Sequence, residues 1–362
     1  MKLALTLSVI FLVGSVASAT FFEGKSFDDV SYRSHVELGA VHWQRDFEKA
    51  KQLSKTSGRP LFVLFQEIPG CATCQNFGKE PLSHPLVVEA IEDLFVPVTI
   101  FNNKSGIDAQ LLKKFGEPSW NNPVVRFMTA GEDDIISRRD GVWNTDGIVE
   151  RMMQTLKQAG KPIPDYLKQI SLPKSSGVET AEFAMHCYWE GEIRLGSIPG
   201  VYTTRSGWRD GREVVQVKFD PSVVNYTKLL ETAMQMDCAS KVFAHSDAQL
   251  KIATAKVGSK ATTASGSMRD AKPSDQKYYL TKTPLRHLPL TEIQATKINA
   301  IGRSRKSPLP LLSPRQREMF KRVASLNSSN PAALRNLQFP ENQADLGSYQ
   351  SKLQQALSRS NP

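Results

Sequence analysis

Two cysteines, Cys71 and Cys74, stand two residues apart, directly after an apolar run at residues 61–65 and a Pro-Gly turn. The length of the run and its aromatic and β-branched residues predict a buried strand. The segment after the turn can begin a helix. Cys71 is therefore expected at a helix N-terminus, where free amides and the helix dipole stabilise a thiolate. Cys74 would lie one turn further on, close enough to resolve a mixed disulfide, so the stretch predicts a redox-active dithiol.

Two other interpretations of this cysteine pair stay open. The pair could be an inert disulfide, although two intervening residues make a very tight loop. It could also be half of a zinc site, but such a site needs a second ligand pair at similar spacing. The other two cysteines, Cys187 and Cys238, stand alone. We therefore expect no metal site, and no cofactor other than the redox-active disulfide itself.

The first 19 residues have the pattern of an export signal. Lys2 is followed by an apolar run to Val16, and Ala17-Ser18-Ala19 forms a small-residue cleavage site. Because the run is short for a membrane span, the pattern predicts a cleavable signal peptide at residues 1–19, with an uncleaved anchor as the alternative. We expect the mature chain to be exported, periplasmic or secreted, where disulfides can form.

The chain has 362 residues, enough for two or three domains, and a formal net charge of +10. Much of the positive excess lies near the C-terminus, where residues 300–362 contain ten Lys or Arg and three Asp or Glu. A basic exported tail indicates contact with anionic surfaces, such as lipid headgroups or wall polymers, with a soluble disordered tail as the alternative; nucleic acid is not expected at that location. Residues 303–362 are therefore expected to form a basic, partly disordered tail, with amphipathic helices at 314–325 and 346–357.

The apolar periodicity of residues 41–160 alternates between helix and strand spacing. The expected elements, in chain order, lie at residues 41–57, 61–65, 75–86, 85–94, 95–101, 108–115, 124–128, 135–139 and 146–160. This order and the cysteine pair resemble the thioredoxin-like fold. In that family a cis-proline precedes the third core strand and faces the cysteines, so the resemblance implies a cis Asn122–Pro123 bond and a binding role for Pro123. Ile68-Pro69-Gly70-Cys71 is similar to the Val-Pro-Gly-Cys or Val-Pro-Gly-selenocysteine signature of exported thioredoxin-like proteins.

A second unit is expected at residues 178–302, after a Pro-, Ser- and Lys-rich linker at 161–177. Its strand–helix–strand–strand–helix order predicts a ferredoxin-like layer. An Ala-, Thr-, Ser- and Lys-rich stretch at 253–277 is typical of a flexible insertion. The expected fold class is therefore α/β (α+β), with a thioredoxin-like domain followed by a ferredoxin-like domain.

Several motifs of the second unit resemble class A peptide methionine sulfoxide reductases and follow that family's order. They are Cys187-Tyr188-Trp189 with Glu192, Pro199-Gly200-Val201, Gly207-Trp208, Glu213-Val214-Val215-Gln216-Val217, Phe219-Asp220-Pro221, Tyr226-Thr227-Lys228-Leu229-Leu230, and Tyr279-Leu280-Thr281-Lys282-Thr283-Pro284. The resemblance implies a methionine sulfoxide reductase A-like domain with Cys187 as nucleophile and Glu192 in the catalytic site. It also implies that Tyr188, Trp189 and Trp208 bind the substrate, with core packing as the alternative for the adjacent aromatic pair.

The catalytic acid is where this sequence departs from the family. Sulfoxide reduction needs a thiolate to attack sulfur while a nearby acid protonates the departing oxygen. Only residues 209–212 join Gly207-Trp208 to the next strand, so the loop expected to carry the family's catalytic Glu is missing. The Asp and Tyr that hold the sulfoxide oxygen in the family also lack counterparts. Glu213 or Asp237 is the candidate substitute for the acid.

Once oxidised, Cys187 needs a second thiol to reduce it. In a ferredoxin-like layer, the strand after the second helix can return beside the first strand, and this would bring Cys238 toward Cys187. We therefore expect Cys238 to be the resolving thiol and Cys71 to attack the resulting disulfide. The alternative for Cys187 and for Cys238 is an inert buried thiol.

These observations predict an exported thiol–disulfide oxidoreductase whose reductase-like domain is re-reduced by the thioredoxin-like dithiol. The expected partners are protein thiols or disulfides, methionine sulfoxide and an external thiol electron donor, and the chain is expected to be a monomer. The alternative is a degenerate reductase fold that binds a partner protein or a soft metal and is kept reduced by the first domain. Met185-His186-Cys187 is the candidate soft-metal turn, with Cys238 or His245 as a further ligand.

Overall fold

The computed structural model describes residues 35–172, 177–337 and 345–359. The expected signal peptide lies outside the described residues, as do residues 173–176 of the expected linker and residues 338–344 and 360–362 of the tail. Within the described part, no helix is both long and apolar enough to cross a membrane.

The first unit, residues 35–172, is built around a three-stranded sheet. Its elements are α1 (Phe47–Ser57), β1 (Leu61–Gln66), α2 (Ala72–Lys79), α3 (Pro85–Leu94), β2 (Val96–Phe101), α4 (Ile107–Phe115), β3 (Val124–Met128) and α5 (Thr145–Gln158). The strand order is β2-β1-β3, with β1 parallel to β2 and antiparallel to β3. Every residue of β1 is buried, and its two faces belong to two separate apolar clusters. Such two-sided burial explains the continuous apolar run in the sequence.

Two expectations for the first unit need correction. Helix α1 begins at Phe47, not at residue 41, because the Asp46 side chain caps it by accepting the Lys49 N–H at 3.0 Å. The strand expected at 135–139 does not form. The chain there makes one isolated bridge, between Met128 and Asp134, and the Asp134 carboxylate pairs with Arg126. The other helices and strands expected in this unit are present.

The second unit, residues 177–302, contains the expected ferredoxin-like layer. The layer consists of β4 (Glu179–Ala184), α6 (Tyr188–Gly196), β5 (Val201–Arg209), β6 (Arg212–Phe219), α7 (Tyr226–Gln235) and β7 (Lys241–Ala244). Its strands have the order β7-β4-β6-β5 and every pairing among them is antiparallel. This split βαβ arrangement confirms the order read from the sequence.

The stretch expected as a flexible insertion, residues 253–277, instead has regular structure. It holds the end of α8 (Asp247–Val257) and two strands, β8 (Ala261–Thr263) and β9 (Arg269–Asp270), which extend the sheet at both edges. The buried Arg209 guanidinium donates to the carbonyl of Ser265 and binds this segment to the sheet. The segment is polar because its two strands lie at exposed edges of the sheet, where few side chains are buried.

The expected linker and tail also pack against the folded units. Leu167 and Ile170 belong to the core of the first unit. Helices α9 (Tyr278–Thr281), α10 (Glu292–Ala300), α11 (Pro314–Ser329) and α12 (Leu346–Arg359) enclose a further apolar cluster that includes Leu312, Val323 and Leu353. The two tail helices expected from the sequence are present, but the described part of the tail is ordered because its leucines share a core with residues 280–298.

A buried carboxylate of α3 holds the N-terminus of α11. Glu89 is 2% exposed and accepts hydrogen bonds from Ser313 Oγ at 2.5 Å and from the Arg315 backbone N–H at 3.0 Å. The Arg315 guanidinium binds Glu92 and Asp93 of the same helix. A helix N-terminus favours a nearby anion, so Glu89 fixes the C-terminal helices to the first unit.

Replacing Glu89 should loosen this attachment. We expect Glu89→Ala to lower the free energy of unfolding by about 1.5–3 kcal/mol, because charged acceptors contribute about that much and Ser313 would lose its partner. Urea unfolding monitors the change. The matched control is Glu318→Ala on α11, where the carboxylate is exposed and pairs with Lys321; it should change stability by less than about 0.5 kcal/mol. Equal effects of the two substitutions would contradict the role of Glu89.

Candidate redox sites

The dithiol of the first unit lies where β1 leads into α2. Cys71 is the N-cap residue of α2 and is exposed, whereas Cys74 lies in the first turn and is buried. Their Sγ atoms are 3.4 Å apart, and both cysteines are free thiols. Small shifts of the side chains would bring the sulfurs to bonding distance. An exposed first thiol and a buried second thiol are the arrangement that attack and resolution require.

The environments of the two thiols push their pKa values in opposite directions. Partial burial acts to raise the pKa of Cys71, but hydrogen bonds from the backbone and side chain of Cys74 and from the backbone of Thr73 outweigh it, so the pKa is lowered. Burial raises the pKa of Cys74 to about 12, and the hydrogen bond with Cys71 adds to this rise. Cys71 is therefore the stronger candidate nucleophile.

The segment before β3 contacts the dithiol as the thioredoxin resemblance implied. The Asn122–Pro123 peptide bond is cis, and Asn122 Oδ1 lies 2.6 Å from Cys74 Sγ. Pro123 itself is buried, and its carbonyl accepts the indole N–H of Trp143 at 3.1 Å. The structure therefore brings three of the expected site residues together: Cys71, Cys74 and Pro123.

The turn between β1 and Cys71 is fixed by groups outside the dithiol. The Gly70 N–H donates to the buried Glu37 carboxylate at 2.7 Å, and the Ile68 N–H donates to Asn103 Oδ1 at 3.2 Å. A Cβ atom at position 70 would lie 2.6 Å from the Cβ of Cys74. Glycine is required there because the turn packs directly against the second cysteine.

Cys187 occupies a similar position in the second unit. It is the N-cap residue of α6 and is half-buried. The carboxylate of Glu213, on β6, accepts the backbone N–H of the next residue, Tyr188, at 2.7 Å. This contact places a carboxyl group at the start of α6, on the backbone of the residue that follows Cys187.

Aromatic side chains surround this helix start. The Tyr188 ring packs edge-on against Trp208, with centroids 5.9 Å apart, and Trp189 stacks on Tyr278 at 3.9 Å. The Tyr188 hydroxyl donates to Asp275 at 3.3 Å, and burial and Asp275 raise its pKa to about 12. The three expected aromatic residues therefore form one cluster. Asp275 joins it from the segment expected to be a flexible insertion, and Tyr278 joins it from the residues directly after that segment.

Parts of this chain are similar to a protein family and to known proteins. A family model described as thioredoxin-like matches residues 42–130. Peptide methionine sulfoxide reductase MsrA 1 from Synechocystis sp. is 33% identical over 96 residues, which are 21% of this chain and 43% of that protein. MsrA from Streptomyces griseus is 30% identical over 108 residues, 22% of this chain and 49% of that protein. MsrA 1 from Caulobacter vibrioides is 39% identical over 77 residues, 17% and 36% of the respective chains.

These matches support a fusion of a thioredoxin-like part with an MsrA-related part. The chain spans less than half of the length of each of these three curated relatives. Among solved structures, Mxr1 from Saccharomyces cerevisiae in an unusual oxidized form is 20% identical, with a TM-score of 0.22, and the match covers 32% of this chain and 87% of that chain. The thioredoxin-like and MsrA similarities support an oxidoreductase in general.

Glu192, expected in the catalytic site, has a different environment. Its carboxylate is fully buried and pairs with Lys277 Nζ at 2.8 Å, and it accepts the Lys277 backbone N–H at 2.7 Å. Thr204 Oγ1 donates to it at 3.3 Å. This carboxylate ties α6 to β5 and to the segment before α9, so its geometry is that of a structural ion pair. The sequence motif could not distinguish the two roles, because Lys277 is 85 residues away.

Glu213 is the carboxylate that lies at the start of α6, where it accepts the N–H of the residue after Cys187. The family resemblance implies an acid in a loop that this chain lacks, with Glu213 or Asp237 as its substitute. The β5–β6 hairpin pairs Glu213 with Trp208, and the Glu213 carbonyl accepts the Met185 N–H at 3.0 Å. This pairing brings the end of β4 and the start of β6 together at the helix N-terminus.

Cys238 follows the topology expected for a resolving thiol. Strand β7 pairs with β4, and the Ser240 N–H donates to the Ala184 carbonyl at 2.9 Å. Cys187 and Cys238 therefore lie at the same end of these neighbouring strands, each three residues beyond the last pair, Ala184 with Lys241. Cys238 is buried, and burial raises its pKa to about 11.

The soft-metal alternative for this site gains no support from the His, Cys, Asp and Glu side chains in the described part of the chain. No group of three His, Cys, Asp or Glu ligand atoms there includes Cys187. Met185 is buried, and its sulfur packs where a Cβ of Gly191 would otherwise lie. His245 Nε2 lies 3.3 Å from the buried Glu182 carboxylate.

The different thiol environments predict selective alkylation. Near pH 7 iodoacetamide should label Cys71 before Cys74 and Cys238, because only the first of these has a lowered pKa and thus the larger thiolate fraction. As pH rises toward about 9, labelling of Cys74 and Cys238 should continue to accelerate, since their pKa values lie above that range. Peptide mass spectrometry over time measures each rate. In urea the three rates should converge; earlier labelling of Cys74 in the folded protein would contradict the assignment.

Proposed function

We propose that this protein is an exported thiol–disulfide oxidoreductase that reduces peptide methionine sulfoxide at Cys187 and is regenerated through Cys71 and Cys74. The observation that carries the proposal is the hydrogen bond from the Tyr188 N–H to the Glu213 carboxylate, one residue after Cys187. It supports Glu213, rather than Asp237, as the acid that sulfoxide reduction needs. Export rests on the signal-like pattern of residues 1–19.

In the first step, the Cys187 thiolate attacks the sulfur of the sulfoxide while the carboxyl group of Glu213 donates a proton to the sulfoxide oxygen. The oxygen is transferred to Cys187 as a sulfenic acid, and methionine is released. The aromatic cluster of Tyr188, Trp189 and Trp208 offers an apolar surface for the substrate's methyl group.

Regeneration then requires two electrons from a dithiol. The Cys238 thiol attacks the sulfur of the sulfenic acid and a Cys187–Cys238 disulfide forms, while the sulfenic hydroxyl takes the thiol proton and leaves as water. The Cys71 thiolate attacks this disulfide, and Cys74 resolves the mixed disulfide. The second unit returns to two thiols and Cys71 and Cys74 become the disulfide, which an external thiol donor reduces. The 3.4 Å separation of Cys71 and Cys74 supports the last intramolecular step.

A turnover assay tests the proposed reaction. With a methionine-S-sulfoxide peptide and dithiothreitol, the mature protein should turn over, and Cys187→Ser should abolish activity. Glu213→Gln should lower kcat/KM by about 10²–10⁴-fold, the usual contribution of a positioned acid. Glu231→Gln, an exposed carboxylate on α7 that pairs with Lys256, is the matched control and should retain full activity. Retained activity in Cys187→Ser would refute the proposal, and sulfoxide binding without turnover would favour the binding-module alternative.

The resolving role of Cys238 has its own test. After one equivalent of sulfoxide, non-reducing peptide mapping of the Cys71→Ser variant should show a Cys187–Cys238 disulfide. Its rate of formation should rise between about pH 7 and pH 9, because the pKa of about 11 leaves little Cys238 thiolate at neutral pH. In Cys238→Ser, Cys187 should remain as the sulfenic acid or overoxidise. Overoxidised Cys187 with no such peptide when Cys238 is present would reject this role and leave direct reduction by the first dithiol.

A further inference from the structure

A carboxylate lies next to the dithiol of the thioredoxin-like part. Glu67 directly follows β1, and the turn to Cys71 folds its side chain back toward α2. One carboxylate oxygen of Glu67 and the sulfurs of Cys71 and Cys74 all lie within 4.8 Å of one another. In the described part of the chain this is the only such group of three His, Cys, Asp or Glu ligand atoms.

From this cluster we propose that the reduced protein binds a thiophilic divalent cation, of which Zn²⁺ is the representative, through Cys71, Cys74 and Glu67. Zinc accepts thiolate and carboxylate ligands at about 2.3 Å and about 2.0–2.2 Å. Ligand atoms around a tetrahedral ion therefore lie about 3.5–3.8 Å apart. The two sulfurs are 3.4 Å apart and the Glu67 oxygen lies within 4.8 Å of both, so side-chain rotations can complete the three-ligand geometry.

The Glu67 carboxylate is available to a cation. Among the described residues, none donates a hydrogen bond or forms an ion pair with it, and its side chain is half-buried. A carboxylate beside two thiols opposes their ionisation, but a bound cation would turn the same charge into an attraction. Cys71 is exposed, so the ion can enter from solvent and the fourth coordination position faces water.

The backbone around the cluster is held by other groups. Glu37 accepts the Gly70 N–H, and Gln75 Nε2 donates to the Gly70 carbonyl at 3.1 Å. The Asn103 side-chain amide accepts the Ile68 N–H and donates to the Ile68 carbonyl. The turn that carries Glu67 therefore does not depend on the three ligands for its shape, which pre-organises the site. Binding would occupy both sulfurs, so a cation and disulfide exchange would exclude each other.

The test is a Zn²⁺ titration of the reduced, full-length mature chain in competition with a chromophoric chelator. We expect one equivalent to bind, and the protein with an oxidised Cys71–Cys74 disulfide to bind none at this site. Loss of a residue that only hydrogen-bonds a metal ligand lowers metal affinity by about 10–100-fold. Glu67→Gln removes the charge of a direct ligand, so it should weaken Zn²⁺ binding at least about tenfold. Cys74→Ser should abolish it.

Glu80→Gln is the matched control, because Glu80 is an exposed carboxylate at the opposite end of α2 and lies outside the cluster. It should bind Zn²⁺ as the unmodified protein does. Co²⁺ loading provides an independent readout: a thiolate-to-metal charge-transfer band should be present in the Glu80 variant and absent in Cys74→Ser. Far-UV circular dichroism confirms that each variant is folded.

Equal Zn²⁺ affinity of Glu67→Gln and Glu80→Gln would overturn the three-ligand site, as would equal binding by the oxidised protein. Neither outcome depends on sulfoxide reduction, because the titration measures binding alone. Failure of the turnover assay with a positive titration would therefore reject the proposed reaction and leave the cation site intact. The reverse combination would reject only the cation site.

Discussion

The complete burial of β1 is the constraint on which the first unit depends. Its side chains alternate between two apolar clusters, so the strand cannot shift by one residue without exchanging those two sets. Parallel pairing with β2 and antiparallel pairing with β3 fix the strand from both sides. Because the strand is fixed, the residues that follow it, from Glu67 to Cys74, leave the sheet at one defined point.

The two candidate redox sites share one structural feature, a cysteine at the N-terminus of a helix. Cys71 and Cys187 are each the N-cap residue of a helix that follows a strand, where free amides favour negative charge. Each also has a carboxylate close by. Glu213 accepts a backbone N–H at its helix start, whereas Glu67 has no donor among the described residues. The same local arrangement therefore places a carboxylate near the start of a cysteine-capped helix in each unit.

The remaining segments hold these sites in place. Lys277 neutralises the buried Glu192 and joins the segment before α9 to α6 and β5, through Glu192 and the Thr204 carbonyl. Unpaired, either charge would be strongly unfavourable in that environment, so the pair constrains where the segment can lie. At the other end of the chain, Glu89 and Ser313 connect α3 to α11. Both contacts depend on single carboxylates that meet partners far away in sequence.

The sequence by itself determined the local features of this protein. Periodicity identified most helices and strands, and the family resemblance located the cis Asn122–Pro123 bond. It also located the dithiol and the ferredoxin-like order. These features depend on the burial of one face or on contacts within a few residues, and both leave a readable pattern.

Only the tertiary structure decided which distant groups meet. It placed the Glu213 carboxylate at the start of α6 and paired Glu192 with Lys277. It also brought Asp275 and Tyr278 to the aromatic cluster and Glu67 close to the cysteines. In the tertiary structure, the polar stretch at residues 253–277 forms edge strands of the sheet, and the leucines of the basic tail pack in one core with residues 280–298. The physical reason is that strand register and long-range packing set these contacts, and neither is encoded in the periodicity of a single segment.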